Sequence, residues 1–185
     1  MTAPNKTLEP TATPRLSFPL AYKSNNNRGN YSLMKAWTLK LNDKPMSLFS
    51  GGASAFPAFS GLGEHVNRRV SACLANRGPI PPGNYFIVDR ESGGRLGWWR
   101  DLFSGRSDWF ALYADDGKID DYTWCEQVKR GHFRLHPKGR SGISEGCIVI
   151  DSPRDFQFLS SILRGGQQEA IAGSELTAWG KVSVA

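Results

Sequence analysis

Apolar and polar residues alternate from Trp37 onward. Trp37, Leu39 and Leu41 are interleaved with Thr38, Lys40 and Asn42, a period of two that puts the apolar side chains on one face of a strand. Asp43-Lys44 then supplies a turn before Met46-Ser47-Leu48-Phe49, so the pattern predicts a β-hairpin. The rigid turn Gly78-Pro79-Ile80-Pro81-Pro82-Gly83 delivers the chain into an apolar run of strand length at residues 84–89. Proline has no N–H to give a ladder, so this strand begins after it. Further strands are expected at residues 109–113, 119–124, 132–136 and 147–150, separated by the turns Asp115-Asp116-Gly117 and Lys138-Gly139-Arg140, with a closing strand at 176–184.

Two segments break the period of two. Val66, Val70 and Leu74 lie four apart, which fits one short helix over residues 64–75 with Arg68 and Arg69 outward, or else a long binding loop. The second has helix signals at both ends. Asp151 or Ser152 can cap, Pro153 suits the first helical position, Phe156, Leu159 and Leu163 repeat on one face, and Gly165-Gly166 stops it. The expected fold is mainly β, with one or two short helices.

Composition bounds this picture. A chain of 185 residues, 39% hydrophobic, suits one globular domain with a sizeable core. Residues 1–30 are rich in Thr, Pro and Asn and bury little apolar surface, so they read as a flexible leader to a domain over 31–185. Residues 1–19 lack the apolar core and small-residue cleavage site of a secretory signal, and no apolar run is long enough for a membrane span. A net charge of +6 favours an anionic partner, whether nucleic acid, acidic lipid or the carboxylate-rich peptides of a cell wall. The cysteines, Cys73, Cys125 and Cys147, are odd in number and show no C-x-x-C spacing, which suggests neither a full disulfide framework nor a zinc ribbon. At least one thiol is expected to be free, and whether Cys73 and Cys125 pair is open.

Candidate chemistry concentrates in residues 132–150, where His132 and His136 precede Cys147 across a glycine-rich loop. Thiolate is the nucleophilic form, and a cysteine with pKa around 8.5 is mostly protonated at neutral pH, so a catalytic cysteine needs a base. A histidine on an adjacent strand supplies one. Gly139, Gly142 and Gly146 permit the sharp path that brings two strand ends together. Gly146 also leaves room for a substrate carbonyl to approach N–H groups that stabilise an oxyanion. The competing reading makes Cys147 a small buried hydrophobe opening an apolar strand.

Ser144-Glu145-Gly146-Cys147 with an upstream histidine resembles the S-x-G-C signature of L,D-transpeptidases, and more closely the type VI secretion effector family of L,D-transpeptidase type. The resemblance runs from about Trp37 to the C-terminus. It includes Pro82-Gly83-Asn84-Tyr85-Phe86-Ile87, similar to the strand entry P-x-G-x-[FY]-x-[IV], and Ser92-Gly93-Gly94-Arg95-Leu96-Gly97. It implies a β-rich catalytic domain, with attack by Cys147 on the amide between the L-centre of meso-diaminopimelate and terminal D-alanine. Water then gives L,D-carboxypeptidase activity, and a D-amino acid gives exchange. His136 is the implied base because that family places histidine roughly ten residues before the cysteine, near the eleven found here. Glu145 and Val149 stand where many housekeeping L,D-transpeptidases carry histidine and asparagine, a departure that bears on cross-linking more than on catalysis.

Supporting roles follow. Ser144 is expected to orient the imidazole or substrate, Gly146 to serve the oxyanion, and Arg134 or Arg140 to pair with a substrate carboxylate. His132, four positions from His136, would share its strand face as a supporting partner or else be a solvated strand end. No cofactor and no metal are called for. A site of His132, His136 and Cys147 would lack the acidic base of a helical H-E-x-x-H site. Papain-like order is disfavoured, since Cys147 follows its histidine and leads into Ile148-Val149-Ile150. The non-catalytic alternative is a glycan- or nucleic-acid-binding module using Trp98, Trp99 and Trp109 with basic residues. The family implies peptidoglycan stem peptides as substrate and delivery by type VI machinery into the periplasm of a target cell. It also implies a periplasmic immunity protein as partner.

Overall fold

The computed structural model describes residues 34–90, 108–139 and 142–185. The expected leader, the Ser92–Gly97 segment, Trp98, Trp99 and Arg140 lie outside them.

The predicted hairpin is β1 (Lys35–Leu39) with β2 (Ser47–Gly51), antiparallel through Leu39 and Phe49. A strand that the pattern did not reveal, β3 (Ser54–Phe59), pairs with β2. Its small residues and Pro57 carry little strand propensity, and its partners rather than its composition hold it extended. The remaining strands are β4 (Gly83–Asp89), β5 (Phe110–Ala114), β6 (Tyr122–Cys125), β7 (Val128–Gly131), β8 (Arg134–Pro137), β9 (Ile148–Ile150), β10 (Glu169–Ala170) and β11 (Thr177–Val184). The run expected at 119–124 thus contributes only its end, and β7, with one buried residue, gave no apolar signal.

Among the described residues nine strands form one sheet in the order β1-β2-β3-β9-β8-β5-β4-β11-β10, and β1 also pairs in parallel with β11, closing a barrel-like circuit. Closure removes most exposed edges. The sheet's inner face carries a core that includes Trp37, Phe49, Ile87, Phe110, Leu135, Ile148 and Ile150, and Trp37 stacks on Phe49 at 5.1 Å. Helix α1 (Pro153–Arg164) closes this core with Phe156, Leu159 and Leu163. Ser152 is its cap and Pro153 its first residue, as the pattern predicts.

The helix expected over residues 64–75 does not form. Two 3-10 turns, Gly63–His65 and Arg69–Ser71, take its place, and Val70 and Leu74 are exposed. Fully buried Asn67, at φ +52°, interrupts any helix here: its Oδ1 accepts from Ser60 N and its Nδ2 donates to Lys44 O. The loop is tied to the two-stranded β6-β7 hairpin by a Cys73–Cys125 disulfide, which leaves Cys147 as a free thiol. Among the described residues no helix is long and apolar enough to cross a membrane.

Candidate active site

Strands β8 and β9 are parallel neighbours, in register Leu135 with Ile148 and His136 with Val149. Parallel strands require a crossover, and here the loop from Lys138 to Cys147 makes it, with no helix among its described residues. It brings Cys147 back to the level of Arg134, one residue before β9. Alternation places Leu135 and Ile148 in the core and Arg134, His136 and Val149 on the opposite face. His136 and Cys147 are therefore diagonal neighbours across two adjacent strands, a separation of about 7 Å in a sheet that an imidazole spans.

The His136 imidazole is buried and fixed on two sides. Trp109 stacks on it with centroids 4.1 Å apart and planes 16° from parallel, and Nδ1 lies 2.8 Å from the Pro137 carbonyl oxygen. A carbonyl only accepts, so Nδ1 carries the proton in the neutral ring and Nε2 keeps its lone pair. That is the tautomer of a general base.

The Cys147 thiol is half-buried and points toward the His132 carbonyl oxygen at 3.9 Å. Burial pushes its pKa up; a hydrogen bond from the Arg134 backbone and the Arg134 charge pull it down, and Glu145 and Asp121 push it up again. The balance is upward, which favours the protonated thiol, so nucleophilic use of this group would require a base to take its proton.

Gly146 cannot be another residue without rearrangement. Its φ is +119°, and a Cβ would lie 2.8 Å from an Arg130 guanidinium nitrogen and 2.9 Å from the Phe133 ring. The buried Ser144 hydroxyl serves this loop, not the imidazole: it donates to Cys147 O at 2.7 Å and accepts from Gly61 N at 3.3 Å. Ser60 completes the brace, accepting from Ile80 N at 2.8 Å and donating to Gly146 O at 3.3 Å.

His132 does not lie on the strand with His136. It sits at φ +57° between β7 and β8, with Nδ1 2.8 Å from Asp121 Oδ2 and its backbone N–H on Asp121 O. The same carboxylate receives the Arg134 guanidinium fork at 2.6 and 2.7 Å. Asp121, Arg130, Ser60 and Asn67 were not legible as site residues, since each acts through a contact distant in sequence. Trp109 is committed to His136 rather than offered as a flat platform for a sugar or base. Among the described residues no group of three or more His, Cys, Asp or Glu side chains is placed to hold a metal ion.

A family model described as the Tlde1 domain matches residues 54–174, more than half of the chain. No curated protein and no solved structure matches. The matched span contains His136, Ser144, Gly146, Cys147 and both members of the disulfide.

Proposed function

Because the chain belongs to the Tlde1 domain family, type VI secretion effectors of L,D-transpeptidase type, we propose that it is a cysteine-dependent enzyme that removes terminal D-alanine from peptidoglycan tetrapeptide stems or exchanges it for another D-amino acid. The observation that carries this reading is the His136 tautomer. A buried imidazole whose Nδ1 donates to Pro137 O lies on the sheet face that carries the Cys147 thiol, one diagonal position away.

Nε2 takes the thiol proton as Cys147 Sγ attacks the carbonyl carbon at the L-centre of diaminopimelate. The carbonyl π electrons move to oxygen, forming a tetrahedral oxyanion beside the Gly146-Cys147 backbone. Collapse breaks the C–N bond, the imidazolium gives its proton to the departing amine, and D-alanine leaves a thioester on Cys147. Water, deprotonated by the same Nε2, releases a tripeptide; a D-amino acid amine in its place restores an amide. The chemistry belongs in the periplasm of a target cell after type VI delivery, with an immunity protein protecting the producer. The Cys73–Cys125 disulfide suits an oxidising compartment of that kind.

The test is incubation of the protein, Cys147→Ala and His136→Ala with disaccharide tetrapeptide, with and without added D-amino acid, read by mass spectrometry. Wild type should lose or exchange D-alanine, Cys147→Ala should be inactive, and His136→Ala should fall by about 10²–10⁴. Turnover that survives in Cys147→Ala refutes the assignment.

A further inference from the structure

A cavity of about 160 Å³ opens against His132 and Glu145. Its walls include Asn76 from the loop before β4, Tyr122, Lys129 and Arg130 from the β6-β7 hairpin, and His132 and Glu145. The last two border Cys147: the His132 carbonyl faces the thiol at 3.9 Å, and Glu145 precedes Gly146-Cys147 in the chain. The Cys73–Cys125 bond holds the Asn76 wall against the hairpin wall.

The charge balance of this cavity is unusual. Arg130 is only 4% exposed, and its guanidinium bonds are to two backbone carbonyls, Ala72 O and Gly78 O, the latter at 3.0 Å; its other close partner is the Phe133 ring at 5.5 Å. None of these carries a negative charge. Arg134, by contrast, is neutralised by its fork on Asp121. Among the described residues no carboxylate pairs with Arg130; a buried cation so placed is costly, and a guanidinium has five N–H donors, more than two carbonyls use. Lys129, the neighbouring residue on β7, also lines the cavity with its ammonium held over the Tyr122 ring at 3.7 Å, and Glu145 borders it.

We propose that this cavity is a carboxylate subsite, seating the free α-carboxylate of the amino acid on the leaving side of the scissile amide. That amino acid is the departing D-alanine in hydrolysis and, in exchange, also the D-amino acid that replaces it. The proposal rests on the reading of the site given above. Arg130 and Lys129 are its binding residues, and Glu145 faces the ammonium that the departing amino acid acquires. A stem whose terminal carboxylate is amidated, or one extended by a further residue, loses the charge this wall is built to meet.

The experiment compares the oxidised full chain on disaccharide tetrapeptide with the same compound ending in D-alaninamide. Wild type should favour the free acid by about 30-fold in kcat/KM, the scale of one charged hydrogen bond. Lys129→Ala and Arg130→Met should each bring the ratio of the two rates toward unity, an effect that general loss of structure does not produce. Separately, Cys147→Ala is titrated with D-alanine and with D-alaninamide, following the Gly131 and His132 amides by NMR. Shifts with D-alanine but not the amide are expected. Equal rates on acid and amide overturn the subsite, as does absence of D-alanine binding. D-Alanine binding without turnover of either stem would keep the subsite and refute the proposed reaction.

Discussion

The three glycines of the crossover loop form a graded test of how the Cys147 thiol is positioned. At Gly139 φ is not positive and a Cβ would meet nothing within 4 Å, so Gly139→Ala should change stability by no more than about 0.5 kcal/mol. At Gly142 φ is +60° and the nearest atom is the end of Lys138 at 3.7 Å, leaving backbone strain of about 1–2 kcal/mol. Gly146 combines φ +119° with contacts of 2.8 and 2.9 Å to Arg130 and Phe133. Phe133 is 2% exposed and Arg130 is pinned by two carbonyls, so neither yields freely. Strain and overpacking, each about 1–3 kcal/mol, together give about 2–6 kcal/mol for Gly146→Ala. In a domain of this size that lowers Tm by roughly 4–24 °C. Thermal unfolding of the three variants, alongside D-alanine release at a temperature where all are folded, measures both consequences. Activity should fall most in Gly146→Ala, because displacement of Gly146 moves Cys147 directly. Equal stability of Gly139→Ala and Gly146→Ala would refute the reasoning.

Three further outcomes follow from the structure. The raised Cys147 pKa means its folded form stabilises the protein below the ordinary thiol range, a contribution lost as pH rises through the raised value. Asp121→Asn removes a carboxylate that pushes the thiol up and unmasks the Arg134 charge that pulls it down, so the pH profile of Cys147 alkylation by iodoacetamide should move to lower pH; an unchanged or upward-shifted profile contradicts this. The disulfide spans 52 residues, for which loop entropy predicts about 4 kcal/mol, so Cys73→Ser with Cys125→Ser should lower the denaturant midpoint substantially, whereas a loss under about 1 kcal/mol would show that hairpin and loop hold together without it.

Much of this protein is local enough to read from residues in order. Alternation around Trp37 specified β1 and β2, the proline turn specified where β4 begins, and Ser152, Pro153 and Gly165 bounded α1, because hairpin period, ring-fixed φ and capping each act within a few residues. The pairing of His136 with Cys147 was legible only through motif resemblance. Spacing alone does not say that β8 and β9 are parallel, and that register is what makes the two residues diagonal neighbours.

The rest required the tertiary structure. Asn67 displaces an expected helix by binding Ser60 and Lys44, and Pro57 lies in a strand because β2 holds it there. His132 left the face predicted for it because its backbone turns to positive φ while its ring reaches Asp121. Arg130 and Arg134 look alike in sequence, yet Arg134 is forked on a carboxylate and Arg130 is buried against carbonyls beside Gly146. What the sequence determined were propensities that act over a few residues. What only the fold decided were the electrostatic partners of each charge and the environment of the thiol, since both depend on strands brought together across long stretches of chain.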